Sequence, residues 1–484
     1  MDKSGSSGGE TTIVWFRSDL RIADNAALSA AAESGPVLPV YIRETASPAR
    51  AIGGARRWWL HHSLHHLGLD LAHLGSPLLL ASGDPFLVLT DLARRSGAKR
   101  ILWNRRYDPA ISAADAELKS RLKDEGFDVR SFPGWLLHEP TKLKTGTGGH
   151  YRVFTPFWRA LTAAGDFATP VAAPKALVAP EALVASEALS DWNLLPTKPD
   201  WAGGLRDTWE PGEAGARRRL AAFLREGLAN YADARDFPGI ENTSRLSPHL
   251  AHGEITPAQI VAELARTRTG SERDREVFRK EVGWREFSWH LLVNEPSLPV
   301  ENHNRSFDGF PWADDAKAFA AWRKGLTGYP IVDAGLRQLW QTGWMHNRVR
   351  MIVASFLTKH LLIDWRSGED WFWDTLVDAD IGSNTASWQW VAGCGADAAP
   401  YFRIFNPVLQ GEKFDPTGAY VRAFVPELAK LPDKWLHKPW MAPRETLSAA
   451  GVRLGQTYPQ PVVDHQTARD RALAAYGEIR READ

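Results

Sequence analysis

Thr12-Ile13-Val14-Trp15-Phe16-Arg17-Ser18-Asp19-Leu20-Arg21 is the stretch that decides the fold class of this chain. Five β-branched or aromatic residues in a row, followed by charged and turn-forming ones, read as a strand buried on both faces, the kind found in parallel sheets. Val37 to Ile42, Pro77 to Ala81, Arg100 to Trp103 and Asp128 to Phe132 repeat the pattern. Between them Asn25 to Glu33, Ala55 to Leu74, Pro85 to Arg95 and Ala110 to Glu125 carry helical patterns, and Asp84 before Pro85 supplies an N-cap and a first-turn proline. This alternation predicts a doubly wound α/β domain with a parallel sheet over residues 11–135. The turn after the first strand lacks Gly-x-Gly-x-x-Gly and has Phe16-Arg17-Ser18-Asp19-Leu20-Arg21 instead, which argues against a nicotinamide dehydrogenase.

Outward from that domain the texture changes twice. Residues 1–10 are Ser- and Gly-rich and are expected to be disordered. Residues 136–206 are rich in Pro, Ala, Thr and Gly, with little periodicity beyond Tyr151 to Ala164, and read as an interdomain connection wrapped on the surface. From residue 207 to the end helical periodicity dominates, broken at Pro238, Pro248, Pro257, Pro296, Pro311 and Pro330 into about a dozen helices, so a second, all-α domain is expected. No internal repeat of fixed period is visible.

Composition narrows the function classes. At 484 residues, 44% hydrophobic and 24% charged, the chain has the make-up of a soluble globular protein too long for one core. No apolar run approaches the roughly 20 residues of a membrane helix, and the first residues lack the apolar core of a signal peptide, so a cytoplasmic protein is expected. The single cysteine, Cys394, excludes an internal disulfide or a multi-cysteine metal site and reads as a small buried residue in a Gly-rich turn. Lys+Arg and Asp+Glu are both 58, so any nucleic-acid site must concentrate its positive charge locally.

The densest chemistry lies between Gly343 and Pro407, where 65 residues hold six tryptophans and the motifs G-W-M-H-N-R-V-R-M (Gly343 to Met351), I-D-W-R (Ile363 to Arg366), D-A-D-I-G-S-N-T-A-S-W-Q-W (Asp378 to Trp390) and D-A-A-P-Y-F-R-I-F-N-P (Asp397 to Pro407). Aromatic planes mixed with Arg, Asn and Asp suit a flat, phosphate-bearing cofactor beside a stacked base. Two aspartates at i and i+2, Asp378 and Asp380, could otherwise form a solvated turn or a metal pair, but no further carboxylate or His ligand stands nearby, so no metal is expected.

Together with Thr12 to Leu28, R-D-F-P (Arg235 to Pro238), T-S-R-L-S-P-H-L (Thr243 to Leu250) and W-R-E-F (Trp284 to Phe287), these motifs resemble the DNA photolyase/cryptochrome family over nearly the whole chain. The resemblance is to a cyclobutane pyrimidine dimer photolyase, of class I or the plant-cryptochrome-related class III. It implies FAD inside the helical domain, with phosphates held by Thr243, Ser244, Leu246 and Ser247, which taken alone would be an ordinary helix N-cap. Tyr231 and Arg285 match other cofactor contacts. Asp378 and Asp380 match carboxylates near the isoalloxazine and ribose, Arg350 the partner of the first, and Asn384 the residue beside flavin N5, where plant photoreceptors resemble it with Asp and animal ones with Cys.

The same resemblance makes Glu281 the acid that hydrogen-bonds the lesion, with Asn347, Met351, Trp284 and Trp390 as walls. Glu281 would have to be protonated or share a proton, a state that an apolar pocket favours, and its bland alternative is an i, i+4 ion pair with Arg285. Asn347 stands where the (6-4) photoproduct enzymes have a second His, which points to cyclobutane dimers. Arg235, Arg348 and Arg403 match residues that grip DNA phosphates around a flipped nucleotide, and Trp388, Trp365 and Trp312 match a tryptophan chain for electron transfer. Their separations of 23 and 53 residues have no helical period.

The expected function is light-dependent repair of cyclobutane pyrimidine dimers by a monomer. A cryptochrome-type photoreceptor is the main alternative, and a flavin oxidoreductase or DNA-binding module a further one. The Asn-Glu pair common with folate antennas is missing from Asn104 to Ile111, while Gly283 to His290 leans toward plant cryptochromes. Methenyltetrahydrofolate is therefore the expected antenna, with a deazaflavin or none as alternatives.

Overall fold

Five parallel strands, Thr12–Phe16 (β1), Val37–Glu44 (β2), Leu79–Gly83 (β3), Arg100–Asn104 (β4) and Asp128–Phe132 (β5), form one sheet in the order β3-β2-β1-β4-β5. The structure is a computed structural model and describes residues 9–165, 167, 169–182, 184–398 and 402–483; of the ten residues expected to be disordered, 1–8 lie outside the described ones. β3 starts two residues after Pro77, which has no N–H to give the ladder, and Leu79 pairs with Val40. Side chains alternate across the sheet, so Ile13 and Trp15 join one apolar layer and Val14 and Phe16 the other.

The helices Ala26–Ala32 (α1), Gly54–Leu74 (α2), Pro85–Ser96 (α3) and Pro109–Asp124 (α4) cross between the strands. Asp84 caps α3 by accepting from the Leu87 N–H at 3.1 Å, as the Asp-Pro pair predicts.

A doubly wound sheet offers a ligand crevice where the strand order reverses, here between β1 and β4. Charged side chains fill that crevice. Arg17 pairs with Asp115 at 2.5 Å and donates to the Asn104 carbonyl, while Arg106 reaches Asp115 at 2.9 Å and Glu44 at 2.5 Å. Burial pushes the Arg17 guanidinium down to about 10 despite these acids.

The connection after β5 is packed more deeply than its composition led us to expect. Leu137, Phe157 and Leu161 are buried, and the helix Phe154–Ala164 (α5) lies against the helical region. Its later part returns to the sheet domain, where Val178 accepts from the Val37 N–H at 2.8 Å. Phe157 and Leu161 fall in the periodic segment Tyr151 to Ala164, but Leu137 and the later part stand outside any period, so the sequence hid their packing.

Beyond it the chain is helical, and Pro248, Pro257 and Pro330 fall in the first turns of helices rather than merely ending them. Five helices build the site: Ser247–His252 (α6), Glu272–Asn294 (α7), Asn347–Ser355 (α8), Trp365–Thr375 (α9) and Ile381–Ala392 (α10). α9 and α10 meet closely because Gly368 has no side chain; a Cβ there would lie 2.2 Å from the Trp388 ring. The sheet domain is fastened to this bundle by Arg50, which pairs with Glu369 at 2.7 Å and with Asp370, and by the Trp373 indole N–H donating to the Ala51 carbonyl at 2.7 Å. Among the described residues no helix is long and apolar enough to cross a membrane, and no cluster of three or more His, Cys, Asp or Glu could hold a metal.

Candidate active site

α6, α7, α8 and α10 surround one open cavity of about 550 Å³, within the roughly 300–1,000 Å³ typical of cofactor and ligand sites. Every site residue expected from the sequence lines it except Trp365, Trp312 and Arg403.

At its inner end the charges are fixed by several contacts each. The Arg350 guanidinium grips Asp378 with two hydrogen bonds, 3.1 and 2.7 Å, and the Ser247 hydroxyl donates to the same carboxylate at 2.6 Å. Asp380 caps α10 through the Ser383 N–H at 2.8 Å and accepts from the Trp289 indole at 3.0 Å. Arg285 stands 4.0 Å from Asp380 and packs over the Trp135 ring at 4.6 Å. Burial pushes its guanidinium down, against Asp380 and Glu286, and its Nη2 is buried without a partner. Between Ser244 and Leu246 the chain turns through Arg245 at φ 49°, a left-handed conformation that costs a non-glycine residue about 1 kcal/mol and is found mostly where a site demands it.

Asn384 is buried, and its amide nitrogen donates to the Glu369 carboxylate at 2.6 Å and to the Glu369 carbonyl at 3.1 Å. With both N–H groups so used, the amide has only its carbonyl oxygen, an acceptor, to offer the cavity. Burial pushes Glu369 up, while Arg50 from the sheet domain works the other way.

The outer end differs from expectation. Glu281 forms an ion pair with Arg235 and none with Arg285. Its side chain is 31% exposed within the cavity and is not enclosed by apolar groups alone: the turn at Tyr231–Arg235 brings a guanidinium to the carboxylate. Arg348 is paired as well, with Asp236 at 2.5 Å, and packs over the Phe414 ring at 4.5 Å. Trp284 lies flat on Phe154, centroids 3.8 Å apart and planes 8° off parallel, and the Trp390 indole donates to the Asp397 carbonyl at 2.9 Å.

The three tryptophans of the expected electron route belong to, or pack on, one apolar cluster, but they have no ring contact with one another. Trp388 instead meets Phe372 at 5.0 Å and Trp322 at 6.2 Å, Trp365 gives its indole N–H to Asn302 at 2.9 Å, and Trp312 packs on Phe310 at 4.4 Å. Sequence reading missed Asp236, Trp289, Glu369 and Arg50. Arg50 and Glu369 stand 319 positions apart, and no local motif marks either.

A family model described as the FAD binding domain of DNA photolyase matches residues 278–478, and one described as DNA photolyase matches residues 12–175. The chain is 59% identical over 471 residues, 97% of its own length and 98% of the relative's, to a deoxyribodipyrimidine photo-lyase of Agrobacterium fabrum. It is 38% identical over 495 residues to cryptochrome-1 of Arabidopsis thaliana, covering 98% of this chain and 71% of that one. Among solved structures, a bacterial class III photolyase from Agrobacterium tumefaciens superposes with a TM-score of 0.96 at 57% identity, covering 99% of this chain and 100% of that one.

Proposed function

Because the chain belongs to the DNA photolyase family, we propose that it splits cyclobutane pyrimidine dimers in DNA when illuminated, with FAD as its cofactor and in the manner of a class III photolyase. The observation that carries this reading is the single cavity that joins a fixed, charged inner end to an aromatic, exchangeable outer end. The inner end fits FAD: the partnerless Nη2 of Arg285 is a buried donor suited to a phosphate oxygen, and Thr243, Ser244, Leu246 and Ser247 line the cavity beside the left-handed turn at Arg245.

Bound FAD supplies the light-driven electron that opens the dimer ring and then returns. The chain's own residues do the rest. Tyr231 and Arg285 close the cofactor's sides, Arg350 and Ser247 set the direction of Asp378, and Asn384 presents a carbonyl oxygen as acceptor for a flavin N–H. Trp284, Trp390, Met351 and Asn347 form the walls against which the extruded pyrimidines stack, a gain of roughly 1–3 kcal/mol per base. Glu281 hydrogen-bonds the lesion once a DNA phosphate draws Arg235 away from it. Trp388, Trp365 and Trp312 would serve as the electron route between the cofactor and the surface, by steps longer than ring contact.

Methenyltetrahydrofolate is the antenna in this proposal, on the strength of Gly283 to His290. A deazaflavin seated in the sheet crevice is opposed by the Arg17, Arg106 and Asp115 pairs that fill it. The protein acts as a cytoplasmic monomer. The deciding experiment incubates FAD-loaded protein with dimer-containing DNA in the dark and in blue light. Dimer loss in light alone is expected; equal dimer content in both samples would overturn repair and favour a photoreceptor.

A further inference from the structure

Trp390 separates the main cavity from a second, small one of about 20 Å³, lined also by Ser355, Lys359, Arg403 and Phe405. Lys359 is 3% exposed and stands on the turn Phe356–His360 that continues α8. Its ammonium donates to the Arg403 carbonyl at 2.6 Å and lies 4.5 Å from the centre of the Phe402 ring. Burial pushes it down to about 7; its titratable neighbours are Cys394, a neutral thiol itself pushed up to about 12 by burial, and the cationic Arg403.

An ammonium buried without a carboxylate is costly, and a methionine would fill similar space without that cost. Packing alone therefore does not account for a lysine here. What the lysine does reach is the backbone of the segment that carries Arg403. The Phe405 N–H of that segment donates to the Ser355 hydroxyl at 3.4 Å, and Phe402 stacks on Tyr476 with centroids 4.6 Å apart. The segment is thus tied at residue 405 to α8, at 403 to the turn that continues it, and at 402 to the helix His465–Ala483, while the Arg403 side chain stays at the surface.

We propose that Lys359 is a positioning residue for DNA binding: it holds the 402–405 segment so that Arg403 stands beside Trp390 at the outer end of the cavity. This rests on the reading of that end as the lesion site and of Arg403 as a phosphate contact.

The test uses full-length, FAD-loaded protein and a dimer-containing duplex. Lys359→Met, Arg403→Ala and the double variant are compared by Kd between about 50 and 200 mM salt and by dimers split per absorbed photon at saturating DNA. Lys359→Met should raise Kd about tenfold and lower the salt slope by about one, as Arg403→Ala does, with no change in yield at saturation. The double variant should bind no worse than Arg403→Ala alone. Lys359→Gln, which keeps a donor within reach of the carbonyl, should recover most of the affinity, and Lys359→Leu stands in for Lys359→Met should that variant lose FAD. Unchanged Kd in Lys359→Met, or in Lys359→Leu in its place, beside a weakened Arg403→Ala would overturn the proposal alone, as would losses that multiply in the double variant. Unchanged Kd in Arg403→Ala would overturn the reading of the outer end, and the proposal with it.

Discussion

The two ends of the cavity hold similar residues in opposite ways. At the inner end Asp378 keeps only 2% of its side chain exposed and receives three hydrogen bonds from Arg350 and Ser247. At the outer end Glu281, Asp236, Arg235 and Arg348 are 19–31% exposed and pair with one another. Half-exposed pairs exchange partners at little cost, whereas breaking a buried pair strands a charge. The inner end is built for a tenant that stays, and the outer end for one that comes and goes.

Asp378→Ala should break that contrast most severely. It strands Arg350, and a loss of about 3 kcal/mol should leave the purified protein largely without FAD, read from flavin absorbance per chain; near-stoichiometric flavin would mean the inner end is not pre-set as described.

Glu286, next to Arg285, sharpens the same point through pH. Burial pushes its carboxyl up from 4.5 to about 7, against the pull of Arg285, while it accepts the Leu137 N–H at 2.8 Å. The folded state therefore binds this proton more tightly than the unfolded chain, so the stability it contributes is complete below about pH 4.5 and is lost as pH rises through 7. Between pH 4.5 and pH 8 the native protein should lose roughly 3 kcal/mol more than Glu286→Gln, measured by denaturant unfolding.

Effects at the outer end should be smaller and confined to the substrate. Glu281→Gln should lower the repair yield about tenfold, roughly 1.4 kcal/mol, with FAD retained; loss of FAD would show that Glu281 is structural. Arg348→Ala should weaken lesion binding by about 1 kcal/mol and lower the salt slope by about one, without altering the yield at saturating DNA.

The parts legible in the sequence were those in which neighbouring positions act together. Five strands follow from short continuous apolar runs, their connecting helices from a period of 3.6, and the Asp84 cap from local turn chemistry. The Asp378 to Trp390 motif marked the cavity because α10 and the turn before it present those side chains to one space. What failed was pairing over distance. Residue type allowed Glu281 an i, i+4 partner in Arg285, but the turn after Asn230 delivers Arg235 instead. The spacing of Trp388, Trp365 and Trp312 carried no geometry, and their rings have other neighbours.

By itself the sequence determined a parallel α/β domain followed by a helical one and the absence of a dinucleotide fingerprint, because each depends on local spacing or on residue type; the side chains expected at the cavity came from its resemblance to the photolyase/cryptochrome family. Only the tertiary structure decided that the sheet's own ligand crevice is closed by Arg17, Arg106 and Asp115, and that Arg50 of the sheet domain steadies Glu369 behind Asn384. It also decided that the charges at the outer end of the cavity neutralise one another. Ion pairs form between groups that folding brings within about 4 Å, and chain positions 319 apart say nothing of that distance until the whole fold is in place.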